Sequence, residues 1–228
     1  MTRSRSGGAA GERVGGGPVS TAELLFPDAE SLTDLRTFVR RAKAADEDGA
    51  VRLRAHGTTL AVTVGVLAGT GVMAEGTVLG LRAVALAEPA DVDATVPLAA
   101  VADRLARDDS RALPVPPTLV HPAWAAVTAP RAGWERVGSI PADLLNDVAR
   151  EGIAQIATGA PEGSGAKAVA GLRRAVWARP TTTVPPVTAG GAFAAYALGF
   201  SRPGTAVTVW AHGRWTRLST PAGHVLMR

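Results

Sequence analysis

Cysteine is absent from the chain. That excludes disulfides, thiolate metal sites and a cysteine nucleophile, and it is consistent with a reducing compartment. Lysine occurs only at Lys43 and Lys167, asparagine only at Asn146 and tyrosine only at Tyr196. Alanine, glycine, valine, proline and arginine fill the chain instead, as expected of a high-GC genome, so part of the arginine content reflects codon usage. Long apolar runs are also missing. The two longest, Thr59–Ala74 and Val187–Phe200, fall short of about 18 residues and are broken by glycine, so neither reads as a membrane span. The opening MTRSRSGGAAGERVGGGPVS is basic with no apolar stretch behind it, so no secretory signal is expected, and the expected location is cytoplasmic with no membrane partner.

The most informative shortage is of acid. From Gly163 to Arg228 there is no aspartate or glutamate, while Lys167, Arg173, Arg174, Arg179, Arg202, Arg214, Arg217 and Arg228 give that stretch a charge of +8. The whole chain carries only +4 over its 228 residues and the tail at 1–17 carries +2, so the middle, residues 18–162, carries −6. Codon usage explains arginine in place of lysine, but it does not explain acid that stops. Charge separated in this way implies an anionic partner or contact between the acidic and basic parts.

What is present describes a globular chain: 46% hydrophobic residues and a mean hydropathy of +0.14. Residues 1–17 are glycine-rich, basic and aperiodic, and predict a disordered tail. Over 31–49 the spacing of Leu32, Leu35, Phe38, Val39 and Ala42 predicts a helix capped by Ser31. Val51, Leu53 and Ala55 then alternate with Arg52, Arg54 and His56, the period of a half-buried strand. His56-Gly57 predicts a tight turn into a second strand through Leu60, Val62 and Val64, and a third strand ends at Pro89. TVPLAAVADRLARD predicts a short helix with Thr95 as cap. These elements make an α-β-β-β-α lobe over 18–109. A proline-rich connection follows at 110–135, and a second lobe over 136–228 places three helices ahead of a terminal hairpin. In its first helix Ser139 is the expected cap, Pro141 the first residue, and Leu144, Leu145, Val148, Ile153 and Ile156 the inward face. AVRLRAHGTT at 50–59 echoes AVTVWAHGRW at 206–215, which raises an internal duplication. The expected fold is α+β, with two lobes of antiparallel hairpins and sheets covered by helices.

Sites for chemistry are sparse. No Gly-x-Ser-x-Gly elbow occurs, and His56, His121, His212 and His224 read as turn, linker and strand-end residues rather than bases or metal ligands. PEGSGAKAV lacks the contiguous Gly-Lys-Ser/Thr of a phosphate loop. Asp143, Asp147 and Glu151 form a stripe that reads as a solvated helix face. No catalytic, cofactor or metal residue is therefore assigned.

The remaining constellation is an arginine/tryptophan set: Arg173, Arg174, Trp177 and Arg179 on a helix, with Trp210, Arg214, Trp215 and Arg217 on the hairpin. Guanidinium groups could meet phosphates and indoles could stack on bases. The same residues also suit a core with a solvated rim. If Val207 and Val209 face inward, Trp210 faces outward and needs something to cover it.

The stretches VLGLRAVALAEPADVDATVPLAAVADRLAR and WTRLSTPAGHVLMR are similar to an uncharacterised family of actinobacterial proteins, with the likeness spanning most of residues 20–228. The resemblance implies a folded whole and no catalytic residue. The leading expectation is a non-catalytic interaction or regulatory protein that associates with itself or with an acidic protein. The alternative is nucleic-acid binding through the basic last third, and the weaker one is an enzyme with unrecognised carboxylate chemistry.

Overall fold

In the computed structural model, residues 22–71, 73–107, 111–159 and 165–228 are described. The basic tail at 1–17 and most of the PEGSG segment lie outside them. A short strand β1 (Glu23–Leu25) leads into α1 (Ala29–Ala45). Asp28 rather than Ser31 caps this helix, its Oδ1 accepting the Ser31 amide at 2.6 Å. The buried face is Leu32, Leu35, Phe38, Val39 and Ala42, as the spacing predicted.

The next two strands are far longer than expected. β2 (Ala50–Leu67) and β3 (Val78–Pro97) form one extended antiparallel hairpin. The chain does not reverse at His56-Gly57. Gly57, at φ +57°, sits at an irregularity where the pairing jumps from Gly57↔Ala90 to Thr59↔Ala85. Leu86–Pro89 bulge out opposite Thr58 alone, which is how β3 absorbs a proline that has no amide to give to the ladder. Thr95 and Pro97 thus belong to β3, and α2 (Leu98–Arg107) begins directly after them, burying Leu98, Val101 and Leu105. β4 (Ala112–Pro114) pairs with β1.

Beyond the connection come β5 (Glu135–Pro141), α3 (Ala142–Gly159), α4 (Ala166–Trp177) and α5 (Ala189–Ala197). β6 (Ala206–His212), β7 (Trp215–Thr220) and β8 (Gly223–Met227) complete the chain. Ser139 and Pro141 lie in β5 rather than opening α3. The buried face of α3 is Ala142, Leu145, Asn146, Ala149 and Gly152, while Leu144 and Ile153 are exposed. Val148 and Ile156 are partly buried against the core, and the small residues of this face allow close approach of α5 and of Trp177 from α4.

All six main strands join in one antiparallel sheet, ordered β2-β3-β8-β7-β6-β5. β8 returns to pair with the start of β3, from Val78↔Met227 to Leu81↔His224. Strands from the first and second halves of the chain thereby share one sheet, and the fold is α+β. Leu60, Val62, Val64, Val207, Val209, Leu218, Val225 and Met227 form its inner face in the main core, with residues of α1, α2 and α5. On the outer face Leu79, Trp215 and Leu226 are covered by Trp124, Val127, Ala129 and Trp134. The proline-rich connection is thus a lid over the sheet. The two Ala-His-Gly segments play different parts, one running straight through a bulge and the other turning a hairpin.

Candidate functional site

Strand alternation separates Val207 and Val209, which are buried, from Trp210 on the opposite face. Trp210 is covered from within the chain. The Arg217 guanidinium lies 5.1 Å from the Trp210 ring and 4.6 Å from Trp134, so one cation is held between two indoles. Desolvation there lowers the Arg217 pKa from its ordinary value. Trp134 is anchored by its Nε1, which donates to the Pro130 carbonyl at 3.0 Å, and it tilts against His212 at 5.9 Å. Trp215 is buried beside Leu79 and Leu226, with the Arg228 guanidinium 5.8 Å from its ring. Trp210, Trp215 and Arg217 are therefore engaged in closing the outer face.

Trp177 is 3% exposed and stacks on Phe193 at 4.5 Å. Arg179 donates to Gln155 Oε1 at 2.8 Å. A buried indole offers no face to a nucleobase, so Trp177 and Trp215 are not stacking platforms in this fold.

His224 Nδ1 lies 3.0 Å from Ser219 Oγ on the same face. Burial, and secondly the nearby Arg217 charge, lower the pKa of this imidazole. The pair has a hydroxyl and a neutral base, but among the described residues no carboxylate bonds the ring to orient it, as nucleophilic activation would require. The described residues also contain no group of three or more histidine, aspartate or glutamate side chains placed to hold a metal ion. No helix among them is long and apolar enough to cross a membrane.

The other arginines converge elsewhere. A cleft of about 1000 Å³ opens between α4, the end of the β2–β3 hairpin, the β6–β7 turn and the end of β8. Arg173 and Arg174 line it from α4, Arg214 from the turn and Arg228 from beyond β8. Leu67, Val78, Trp177, Val187 and Met227 supply apolar surface, and Thr70, Thr188 and Thr216 supply hydroxyls. Asp46, Glu47 and Glu75 also line it. Arg214 reaches Glu75 at 3.9 Å, with both side chains largely exposed, so this contact is weak. Arg173, Arg174 and Arg228 form no ion pair among the described residues. Trp177 Nε1 and Arg228 Nε are buried without a hydrogen-bond partner.

The predicted arginine/tryptophan set is thus divided. Arg173, Arg174, Trp177 and Arg214 meet at the cleft, Trp210, Trp215 and Arg217 close the outer face, and Arg179 is tied to α3. Sequence reasoning missed Arg228, Met227 and Thr188 as cleft residues. The acid-free stretch contains all three, but only the return of β8 to β3 brings the end of the chain beside α4.

No curated protein matches this chain. Residues 19–126 are similar to a family described as domain of unknown function DUF8010, and residues 129–228 to one described as domain of unknown function DUF8185. The two matches adjoin within the proline-rich connection, at the segment that covers the sheet they share.

Proposed function

We propose that this chain is a non-catalytic interaction protein that receives an acidic segment of a partner protein in the arginine cleft. The observation that carries this reading is the convergence of Arg173, Arg174 and Arg228, without carboxylate partners among the described residues, on a cleft with apolar walls. Guanidinium groups so placed favour an incoming carboxylate, and the apolar surface favours side chains interspersed with it. The lining also supports a peptide over a nucleic acid as the anion. A nucleic acid carries a phosphate at every step and would meet Asp46, Glu47 and Glu75, whereas a peptide can set acid against arginine and aliphatic groups against Leu67 and Val187.

The test is binding of three labelled probes of equal length, measured across a salt series: a glutamate/leucine peptide, polyglutamate and single-stranded DNA. The mixed peptide is expected to bind best. Arg173→Ala/Arg174→Ala is expected to weaken it about tenfold, or roughly 1.4 kcal/mol. Arg202→Ala, an exposed cation that does not line the cleft, is expected to leave it unchanged. Tighter binding of DNA than of either peptide, or equal losses from both variants, would reject the reading in favour of a diffuse polyanion surface.

A further inference from the structure

We propose that two copies of this chain pair edge to edge through β2, antiparallel about a twofold axis at Val62, extending the six-stranded sheet into one of twelve strands. Among the described residues β2 is the terminal strand of the sheet and β3 is its only strand neighbour. Leu60, Val62 and Val64 are 0–1% exposed, so their backbone groups are covered. Thr59, Ala61, Thr63 and Gly65 retain exposure, so the open amides and carbonyls of this edge belong to them. Among the described residues, none of these four makes a backbone hydrogen bond outside the β2–β3 ladder.

From Thr58 to Leu67 the strand carries no charge and no proline. Exposed edges are ordinarily blunted by lysine, proline, bulges or short length. The opposite edge, β5, has such devices: it contains Glu135, Arg136 and Pro141, with an irregularity between Arg136 and Gly138. In β2 the irregularities fall at the two ends of the neutral run, between Gly57 and Thr59 and between Gly65 and Leu67. They frame a regular stretch from Thr59 to Gly65 whose centre is Val62.

A second copy fits this frame better than an unrelated strand because the run is self-complementary. Antiparallel pairing about Val62 sets Thr59 against Gly65, Leu60 against Val64, and Ala61 against Thr63. Each pair is separated by an even number of residues, so inner-face side chains lie beside inner-face side chains and both cores stay on one side. Arg52, Arg54 and His56 lie beyond the ladder, so no like charges are opposed. The four open residues of each chain then exchange up to about eight backbone hydrogen bonds.

The absence of cysteine supplies a clean test. Ala61→Cys and Thr63→Cys are prepared separately, and each is oxidised alone and after mixing. Directly opposed residues of an antiparallel pair have Cα atoms about 5.5 Å apart, within disulfide reach. The mixture is expected to give covalent dimer at several times the yield of either variant alone. Sedimentation of the unmodified full chain is expected to show a dimer, and Ala61→Lys/Thr63→Lys, which clusters four ammonium groups about the axis, is expected to sediment as a monomer with unchanged circular dichroism. A monomeric unmodified chain at about 100 µM, equal crosslinking with and without mixing, or a persistent dimer in the lysine variant would each overturn the proposal. The acidic-peptide affinity of the lysine variant reads the cleft separately, so either proposal can fail while the other stands.

Discussion

Gly152 and Gly171 are both helical glycines, and replacing each with alanine should move stability in opposite directions. Gly171 lies on an exposed part of α4, and a Cβ added there meets nothing within 4 Å. Only backbone entropy and helix propensity change, so Gly171→Ala is expected to stabilise by about 0.5–1 kcal/mol. At Gly152 on α3 the same propensity gain applies, but a Cβ would collide with Cζ3 and Cη2 of Trp177. That indole cannot retreat freely, because its other contacts include the Phe193 ring at 4.5 Å. Overpacking a filled site costs about 1–3 kcal/mol, which exceeds the propensity gain and leaves a net loss on the order of 1–2 kcal/mol. For a chain of this size each kcal/mol shifts Tm by roughly 2–4 °C. Gly171→Ala should therefore melt about 2 °C higher and Gly152→Ala several degrees lower, read by circular dichroism and by tryptophan fluorescence. Because Trp177 lines the cleft, Gly152→Ala should also weaken the acidic peptide, whereas Gly171→Ala should not. Equal stabilisation by both substitutions would refute the reasoning, since it would mean that Trp177 is not seated on α3.

Two further outcomes follow from buried polar groups. The His224 pKa is lowered in the fold, so the unfolded chain takes up its proton first. The associated stability is complete above about pH 6.5 and is lost as the pH falls toward the folded value. Urea midpoints measured at pH 7.5 and 5.5 should show a drop that His224→Gln reduces, and an undiminished drop in the variant would assign it to other groups. Asn146 is 2% exposed, accepts the Ser201 hydroxyl at 2.6 Å and donates to the Ser201 carbonyl at 3.2 Å. Asn146→Ala leaves both buried groups unpaired and should cost roughly 2–3 kcal/mol in urea unfolding. A loss below about 0.5 kcal/mol would show that water enters and replaces both bonds.

Where one residue type repeats at one period, the elements were legible in the sequence. The apolar stripe of α1 and the alternation of β6 place the same side chains inward that the structure buries. The misreadings share a cause: turn and cap chemistry is local, and tertiary pairing overrode it. His56-Gly57 looks like a turn, yet β3 runs past it and absorbs the mismatch by bulging at Leu86–Pro89. Ser139 and Pro141 look like the opening of a helix, yet their strand pairs with β6 before the helix begins. Of the large aliphatic residues expected on the core face of α3, Leu145 is buried and Val148 and Ile156 pack partly buried against the core, whereas Leu144 and Ile153 are exposed and the small residues Ala142, Ala149 and Gly152 take their share of that face. The continuous sheet itself depends on the pairing of Leu81 with His224, separated by most of the chain, which no local pattern announces.

The site was legible as a charge and not as a place. The end of acid at Gly163 is a property of composition, so it survives any folding of the chain and marks the segment that supplies every arginine of the cleft. What composition cannot separate is a guanidinium held by its own protein from one left available. Arg217 and Arg214 differ by three positions on one hairpin, yet one lies between Trp134 and Trp210 and the other sits at the cleft with only a weak contact to Glu75. Their difference comes from Trp134, which belongs to the proline-rich connection and sits opposite β6 and β7 only because that connection closes over the outer face. The same closure uses the tryptophans that could have stacked on bases and leaves Arg173, Arg174 and Arg228 beside aliphatic walls. The arginines that the basic third brings to the cleft therefore lie beside apolar surface, and it is on this mixed setting that the proposal of an acidic protein partner rests.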